Sequence, residues 1–136
     1  MRRTFGSPGR YRRFVDRYCL SDGGVVRIAY PTPRELRRLS RSERRRIGGE
    51  SIFILTTSKS LRIRGVRRGM GVRALNRKIG RGARVRVGKN LWYFRKGRNS
   101  RHIFKVQRGR VREMGVADAR LTNGRVRAKR FFRQGR

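Results

Sequence analysis

The second half of the chain alternates apolar and polar residues with the period of a β-strand. From Ala83 onward, alternating runs are separated by short turns that contain glycine. Successive side chains of a strand point to opposite faces, so a period of two is typical of half-buried strands. The pattern predicts antiparallel strands over residues 83–87, 91–95, 102–107 and 110–116.

The last of these hairpins has a predictable register. A two-residue loop at 108–109 places Val106 opposite Val111. The same register sets Lys105 across the sheet from Arg112, and such a pair of like charges is destabilising unless solvent or an anion lies between them. The hairpin is therefore expected to present unbalanced positive charge on one face.

Two earlier runs are also typical of strands. Residues 25–30 follow two glycines, and both this run and residues 51–58 are rich in β-branched and aromatic side chains. Residues 61–64 alternate like a half-buried strand. We therefore expect a hairpin with its turn around 58–60.

A capping box predicts the start of the first helix. Thr32 and Glu35 stand three positions apart with a proline between them, a spacing that lets each side chain bond to the backbone N–H of the other residue. Most of the following polar positions are arginine, and two glycines end the segment. We expect one amphipathic helix with an arginine outer face and an apolar stripe formed by Leu36, Leu39 and Ile47.

Two other segments have features of helices. Val72, Leu75 and Ile79 fall on one helical face and are followed by glycine, which predicts a second helix. Near the C-terminus, Thr122 is a suitable N-cap for a basic segment over 125–133. This last segment is expected to be either a docked helix or a loose tail.

The N-terminal region combines arginine with aromatic residues. A break rich in glycine and proline over 6–9 precedes Tyr11, Phe14 and Tyr18, which have the spacing of one helical face. We expect a basic arm followed by a short helix from about Tyr11. Its aromatic face is expected to dock on the core more readily than to stack on bases.

These elements together predict an α+β fold with two or three short helices packed on an antiparallel sheet of four to six strands. Basic extensions are expected at both ends. The expected organisation is an arm with a short helix over 1–20, one α+β domain over 21–121, and a basic helix or tail over 122–136. The predicted core consists of Val26, Ile28, Leu36, Leu39, Ile52, Ile54, Val72, Leu75, Val85, Trp92, Phe104, Val106 and Val111.

The charge balance extends the prediction from fold to partner. The chain has 136 residues, with 41 Lys and Arg against 7 Asp and Glu, which gives a formal net charge of +34. Few of these cations can have a carboxylate partner within the chain. A strongly cationic surface attracts polyanions, and binding gains free energy from the counterions that the polyanion releases. We expect an anionic partner, above all the phosphate backbone of a nucleic acid.

Basic and aromatic residues stand side by side in three stretches, 10–14, 90–96 and 129–133. Arginine and lysine contact phosphates, and aromatic side chains can stack on exposed bases. The usual sequence-reading motifs are absent, so binding that tolerates any base sequence is expected. The expected role is structural or packaging, as in a ribosomal protein, a nucleoid protein or a viral nucleoprotein, with RNA and DNA both open.

The predicted contact residues come from the arm, the first helix, the strands and the C-terminal segment. They are Arg2, Arg3, Arg10, Arg12, Arg13, Arg37, Arg38, Arg41, Arg44, Arg45, Arg46, Arg84, Arg86, Arg95, Lys96, Arg110, Arg112, Arg127, Lys129 and Arg130.

Catalysis and metal binding find little support in the sequence. His102 and Cys19 are the single histidine and cysteine, and no two carboxylates have a spacing that suggests acid/base work. We expect no enzymatic activity, metal, cofactor or small-molecule substrate, and a partly buried structural role for Cys19. No run approaches the roughly 18 apolar residues of a membrane span, and the N-terminus lacks a secretion signal. A cytoplasmic location, or one within a nucleoprotein particle, is expected.

Residues 65–116 carry a further pattern. A Gly-Met turn at 69–70 opens a helix that ends in glycine at position 80, and a meander with a Trp-Tyr strand at 92–93 follows. In this pattern the segment resembles the BamE/SmpA-like module of bacterial envelope proteins, which is related in fold to β-lactamase inhibitor protein. Residues 87–118 also resemble arginine-rich, uncharacterised proteins of high-GC bacteria.

That resemblance implies an alternative function. A BamE/SmpA-like chain would be an extracytoplasmic or envelope adaptor, given a signal that precedes Met1, and its positive charge would reflect genome composition. Its polyanion would then be an acidic envelope polymer or lipid head groups instead of nucleic acid.

Overall fold

An antiparallel sheet of eight strands forms the centre of the protein. The computed structural model describes residues 10–80 and 82–133, with side chains from residue 13 onward. Along the chain the strands are β1 (Arg10–Arg12), β2 (Val15–Cys19), β3 (Val25–Ala29), β4 (Phe53–Thr56), β5 (Ala83–Val87), β6 (Asn90–Lys96), β7 (Ser100–Gln107) and β8 (Arg110–Asp118). Their spatial order is β1-β2-β3-β4-β8-β7-β6-β5.

Five helices in the described part of the chain cover the two faces of this sheet unequally. They are α1 (Pro33–Arg37), α2 (Arg41–Ile47), α3 (Val72–Ile79), α4 (Ala119–Thr122) and α5 (Gly124–Phe132). Apolar side chains of α1, α2, α4 and α5 share one core cluster with one sheet face, and those of α3 share another with the opposite face. We call the first set of four helices the helical layer. The loop-side layer is α3 with residues 57–71, whose Val66 belongs to the second cluster.

The α+β class and the antiparallel sheet predicted from the sequence are confirmed. The alternating segments of the second half all form strands, and β5 has the predicted bounds. The sheet has more strands than the four to six expected, and the described residues form more helices than the two or three expected. The additional elements include the strands β1 and β2, a second helix within the segment predicted as one helix over 32–47, and α4, which precedes the predicted C-terminal segment.

The helix expected from Tyr11 is wrong. Residues 10–12 and 15–19 form an antiparallel hairpin in which Tyr11 pairs with Asp16. Phe14 lies in the turn with a φ of 68°, a left-handed conformation that interrupts any helix. The aromatic spacing suited a helix, but in β2 the alternation instead buries Asp16 and Tyr18 on one face.

The hairpin expected around 58–60 is also wrong. β4 ends at Thr56 and pairs with β3 and β8, whereas residues 61–64 contribute a single bridge between Ile63 and Val66. Asp22 fixes the segment that follows β4, because its carboxylate accepts hydrogen bonds from Ser58 Oγ at 2.5 Å and from two backbone N–H groups. Hydrogen bonds from Ser58, then from the backbone N–H groups of Gly24 and Ser60, hold the pKa of Asp22 well below its usual value.

The first capping box is confirmed, but the helix that it opens is short. Thr32 and Glu35 cap each other's backbone N–H at the start of α1, which ends at Arg37. A second capping box, formed by Ser40 and Glu43, then opens α2. The predicted single helix is therefore two helices joined by a three-residue connection.

The C-terminal segment is helical, with different caps from those expected. Asp118 caps α4 by accepting from the backbone N–H of Arg120, and Asn123 is the N-cap of α5. Thr122 is instead the last residue of α4, and its hydroxyl donates to the carbonyl oxygen of Asp118 at 2.8 Å.

The register of the last hairpin is partly confirmed. Val106 lies opposite Val111 as predicted, but a bulge at this point sets Lys105 opposite Glu113. Lys105 Nζ lies 2.7 Å from Glu113 Oε1, and Arg27 pairs with the other carboxylate oxygen. The predicted pairing of Lys105 with Arg112 is wrong. The bulge adds one residue to β8, which places Glu113 instead of Arg112 opposite Lys105.

Aromatic side chains anchor the helical layer to the sheet. Phe132 of α5 stacks on Trp92 of β6 with ring centroids 4.2 Å apart, and Phe131 meets Phe53 edge-on at 5.9 Å. Ten predicted core residues are buried; Leu36, Ile54 and Val72 are partly buried. The buried ten are Val26, Ile28, Leu39, Ile52, Leu75, Val85, Trp92, Phe104, Val106 and Val111.

A glycine lies where the two halves of the sheet join. β4 pairs with β8 across a long sequence separation, and Leu55 lies opposite Gly115. A Cβ atom at Gly115 would overlap the carbonyl oxygen of Ile54. Glycine is therefore required by close backbone approach at this position.

Candidate nucleic-acid interface

A groove lined by arginine runs along the helical layer. Its first part is a cavity of about 280 Å³ between α1 and the α4–α5 pair. Its second part, of about 720 Å³, lies between α2, the β6–β7 turn and the start of α4. Arg120 lines both parts, which therefore lie next to each other. We call this surface the arginine groove, and its arginines are Arg38, Arg45, Arg46, Arg98, Arg120, Arg127 and Arg130.

Short local structures bring these arginines together. Arg38 is the C-cap of α1, and Arg45 and Arg46 occupy the last turn of α2. Arg127 and Arg130 are three positions apart on α5, so they lie on one side of that helix. Arg98 comes from the turn between β6 and β7.

Two of the groove arginines are held by the protein itself. Arg120 forms a bidentate contact with Asp118, through Nη2 to Oδ2 at 2.8 Å and Nε to Oδ1 at 3.2 Å. This hydrogen bonding raises the pKa of Arg120 against the opposing effect of burial. Arg127 Nη1 donates to the carbonyl oxygen of Arg120 at 3.3 Å. These two guanidinium groups have positions set by the fold.

The other five groove arginines are exposed and make no ion pair with any other described residue. Their guanidinium groups can turn toward an incoming anion with little loss of existing contacts. Arginine presents a planar set of donors that fits phosphate in a bidentate manner. The five are Arg38, Arg45, Arg46, Arg98 and Arg130.

Two of the carboxylates near the groove accept hydrogen bonds from the backbone. Glu35 lines the first part and accepts from Thr32 N at 2.8 Å, while Glu43 accepts from Ser40 N at 2.8 Å. Hydrogen bonds from Ser40 chiefly lower the pKa of Glu43, with a smaller contribution from Arg120 and Arg127. Glu50 lines the second part. The groove thus keeps an excess of positive charge although several of the acids lie near it.

Several predicted contact residues lie elsewhere. Arg84 and Arg86 are exposed on β5 and face the loop side, because they pair with Tyr93 and Leu91. Arg95 donates to the carbonyl oxygen of Ile79. Arg110 bonds to the carbonyl oxygen of Gly69 at 3.0 Å, Arg112 is half-buried at the bulge, and Lys96 lines a separate cavity with Arg101. The structure does not bring these residues into the groove.

Other predicted residues lie beside the groove, or outside the residues whose side chains the structure describes. Arg37, Arg41 and Lys129 are exposed on the helical layer, and Arg44 Nε donates to the carbonyl oxygen of Leu39 at 3.0 Å. The guanidinium of Arg13 lies 5.2 Å from the centre of the Phe14 ring. Arg2 and Arg3 lie outside the described residues, and Arg10 and Arg12 lie in β1, where only the backbone is described.

Sequence reasoning missed Arg98 and Arg120. Neither stands in a basic stretch with aromatic neighbours, and both reach the groove through long-range packing of the β6–β7 turn and the end of β8. The pairing of Asp118 with Arg120 two positions later was the available local signal. An aspartate at the end of a strand can hold the guanidinium of an arginine two positions later, as Asp118 holds that of Arg120.

The aromatic residues of two predicted basic stretches, 90–96 and 129–133, belong to the core. Trp92, Tyr93 and Phe94 are all buried, on both faces of β6, and Phe131 and Phe132 are buried beneath α5. These rings do not form an open platform on which successive bases could stack, although Phe131 lines the first part of the groove. In the third stretch, 10–14, Phe14 is half-buried in the turn after β1. Contacts to phosphate, made by arginine, are the main chemistry that this surface offers.

The single histidine and cysteine occupy ordinary positions. His102 is half-buried and accepts a hydrogen bond from Arg64 Nε at 2.9 Å. Burial, followed by Arg64 and Arg95, lowers the pKa of His102. Cys19 is exposed at the end of β2, so the expected partial burial is wrong. Within residues 10–80 and 82–133, no cluster of three metal-binding side chains occurs and no helix is long and apolar enough to cross a membrane.

Comparisons with known proteins bear on the fold. No family model and no curated protein matches the chain. A solved structure with a similar fold is that of a DUF4309 family protein (YjgB) from Bacillus subtilis, with a TM-score of 0.59 and 12% sequence identity. The match covers 86% of this chain and 74% of that chain. At this identity the likeness shows the fold alone.

The BamE/SmpA-like resemblance suggested by residues 65–116 is therefore wrong. No family model or curated protein supports it, and the structural likeness extends over most of the chain to a different family. The motif failed because its parts are general. Many unrelated units of a helix and a meander have a glycine at each end of the helix and an aromatic strand after it.

Proposed function

We propose that the protein binds the phosphate backbone of a nucleic acid through the arginine groove, without enzymatic activity and without reading base sequence. The observation that carries this proposal is the convergence of five exposed arginines, from α1, α2, α5 and the β6–β7 turn, none in an ion pair with another described residue. The proposed role is structural or packaging, within the cytoplasm or a nucleoprotein particle.

Electrostatics supports a polyanion as the ligand. A chain with a net charge of +34 repels itself, and an anionic partner relieves that repulsion. Each phosphate that is neutralised releases condensed counterions, so affinity falls steeply as salt rises. For roughly eight phosphate contacts, the log-log salt slope on duplex DNA is expected near −7.

Tolerance of base sequence follows from the kind of groups exposed. Guanidinium contacts to phosphate position a nucleic acid but carry no direct sequence information. The large aromatic side chains of the stretches 90–96 and 129–133, which could stack on the bases of an open strand, are buried instead. Affinity is therefore expected to depend on charge and salt more than on base composition.

The test compares two triple variants with the same loss of charge. Arg45→Ala/Arg46→Ala/Arg98→Ala removes exposed arginines of the groove. Arg73→Ala/Arg77→Ala/Arg86→Ala removes exposed arginines that lie on the loop side, on α3 and β5. Binding of each protein to duplex DNA, structured RNA and an acidic polysaccharide of matched charge is measured over a salt series, after circular dichroism has shown that both variants fold.

The groove variant is expected to reduce the salt slope on nucleic acid by about three, one for each lost phosphate contact. The loop-side variant is expected to leave the slope close to that of the parent protein. Equal losses in the two variants would show that total charge, not the groove, determines binding. Equal affinity of the parent protein for all three polymers, or no binding in ordinary buffer, would overturn the proposal.

A further inference from the structure

The two parts of the arginine groove differ in the chemistry of their lining. The second part is lined by charged and small polar residues with one alanine. The first part has an apolar floor made of buried side chains, Leu39, Leu121 and Phe131, which are 5%, 8% and 3% exposed. Phosphate gains nothing from an apolar surface, so this floor calls for a ligand with an apolar face as well as charge.

The size of the first part limits that ligand. Pockets for drug-sized molecules measure roughly 300–1,000 Å³, and this cavity of about 280 Å³ lies just below that range. It has room for one small planar group. A nucleobase has apolar faces and a polar edge, and arginine guanidinium groups stack on such faces.

The charges around the cavity draw the phosphates of a strand toward its opening. Four arginines and Glu35 line the cavity, so its lining is positive overall and attracts the phosphates on either side of a bound base. Arg38 is exposed and can reach phosphates beside the opening, whereas Arg130, which is exposed and lines the cavity, can stack its guanidinium on the face of a base. Arg120 and Arg127 are fixed by Asp118 and by the backbone, and they form a preorganised wall.

We propose that this cavity receives one unpaired base of a single-stranded nucleic acid while the neighbouring phosphates lie along the arginine groove. The inference rests on the proposed function and narrows its ligand to strands with unpaired bases. A base within a duplex must leave its stack to enter, which costs free energy that a single strand does not lose. The cavity accommodates any base, because its floor contacts a face and not an edge.

The experiment measures affinity at one ionic strength for three oligonucleotides of equal length. One is single-stranded with all its bases, the second has the same backbone with abasic sites throughout, and the third is the duplex. The first two carry the same charge. The normal single strand is expected to bind about tenfold more tightly than the abasic strand, the effect of stacking one base.

Matched variants locate the effect. Arg130→Ala is expected to bring the affinity ratio of normal to abasic strand closer to one. Arg77→Ala removes the same charge from exposed α3 and is expected to leave that ratio unchanged. A competition with a free nucleoside monophosphate is expected to displace the normal strand more effectively than inorganic phosphate does.

The outcomes separate the two proposals. Equal and salt-sensitive affinity for normal and abasic strands would overturn the base pocket and leave the backbone-binding function standing. A ratio that Arg130→Ala does not change would place the base elsewhere and overturn the pocket as well. Failure of all three oligonucleotides to bind would overturn both proposals together.

Discussion

Two sets of arginine, one on each side of the sheet, show two different uses of this residue. On the loop side, guanidinium groups donate to acceptors within the protein: Arg64 to His102, Arg68 to the carbonyl oxygen of Thr57, Arg95 to that of Ile79 and Arg110 to that of Gly69. On the helical layer, the five exposed groove arginines make no ion pair with described residues. The first group supports loops of the fold, and the second is available to a partner.

This difference shows that a count of positive residues overstates a binding surface. The loop-side segment 57–71 has little regular secondary structure, so its backbone carbonyls need donors, and arginine supplies them. Most backbone groups of the helices are bonded within the helices, so fewer carbonyl oxygens need a donor there. Arg44 and Arg127 still donate to carbonyl oxygens, but the five exposed groove arginines do not have this role. An arginine close to a backbone carbonyl that lacks a donor has a structural role. Its neighbours in the sequence say less about whether it is available to a partner.

The largest effect is expected from loss of the aromatic anchor of the helical layer. Phe132→Ala removes the ring that stacks on Trp92, and such truncations of buried aromatics cost about 3–5 kcal/mol of unfolding free energy. Because α5 carries Arg127 and Arg130, nucleic-acid affinity should fall as well. Urea unfolding and a binding titration measure the two effects.

Leu75→Ala is the control, since it opens a cavity under α3 on the loop side. It should lower the unfolding free energy by about 2–5 kcal/mol and leave affinity unchanged at temperatures where the variant is folded. Equal losses of affinity in both variants would mean that the two layers do not differ as described.

A smaller effect is expected at the carboxylate that neutralises two cations in the sheet. Glu113→Gln removes the negative charge that pairs with both Arg27 and Lys105. The two cations then repel each other without a carboxylate between them. The pair is partly exposed, so a loss of about 2 kcal/mol in unfolding free energy is expected, below the full cost of breaking a buried pair. Thermal unfolding in low and high salt measures it, and a loss that salt does not reduce would contradict the electrostatic explanation.

A reciprocal pair of single substitutions tests the comparison directly. Arg68→Ala removes the donor to Thr57 and should lower the unfolding free energy by about 1 kcal/mol with little change in affinity. Arg46→Ala should weaken nucleic-acid binding with little change in stability, since this exposed side chain has no ion pair among described residues. The opposite assignment of the two effects would break the comparison.

The smallest effect concerns pH. The folded state lowers the pKa of His102 through burial and the nearby Arg64 and Arg95, so the unfolded chain binds a proton more readily. Stability from this group is therefore complete above the unfolded pKa of about 6.5 and is lost as pH falls below it. His102→Gln should flatten the dependence of unfolding free energy on pH between about 5 and 7. A parallel pH profile would show that other groups are responsible.

Much of the sheet was predictable because alternation is a local signal. The four strands of the meander, and the pairing of Val106 with Val111, follow from side-chain period and turn length. The bulge at Arg112 was not predictable, because no single residue type specifies it. The N-terminal hairpin was missed because Tyr11, Phe14 and Tyr18 fit a helical face, while the positive φ of Phe14 depends on pairing with the rest of the sheet.

The candidate groove was predictable only in part. The arginines of α1, α2 and α5 were identifiable from their position on amphipathic segments. Arg98 and Arg120 join them through contacts between distant parts of the chain, which no local pattern contains. Conversely, Arg84, Arg86, Arg110 and Arg112 were predicted as contact residues but lie apart from the groove. Arg84 and Arg86 face the loop side, Arg110 donates to the carbonyl oxygen of Gly69, and Arg112 is half-buried at the bulge.

The absence of a side chain at Gly115 has a consequence for how the protein can vary. One strand pair, β4 with β8, joins the N-terminal strands to the C-terminal meander, and its centre admits no methyl group. Any larger residue there would push β4 and β8 apart and weaken the junction between the two halves of the sheet. Position 115 is therefore restricted to glycine, whereas an exposed arginine such as Arg46 can be replaced without backbone strain.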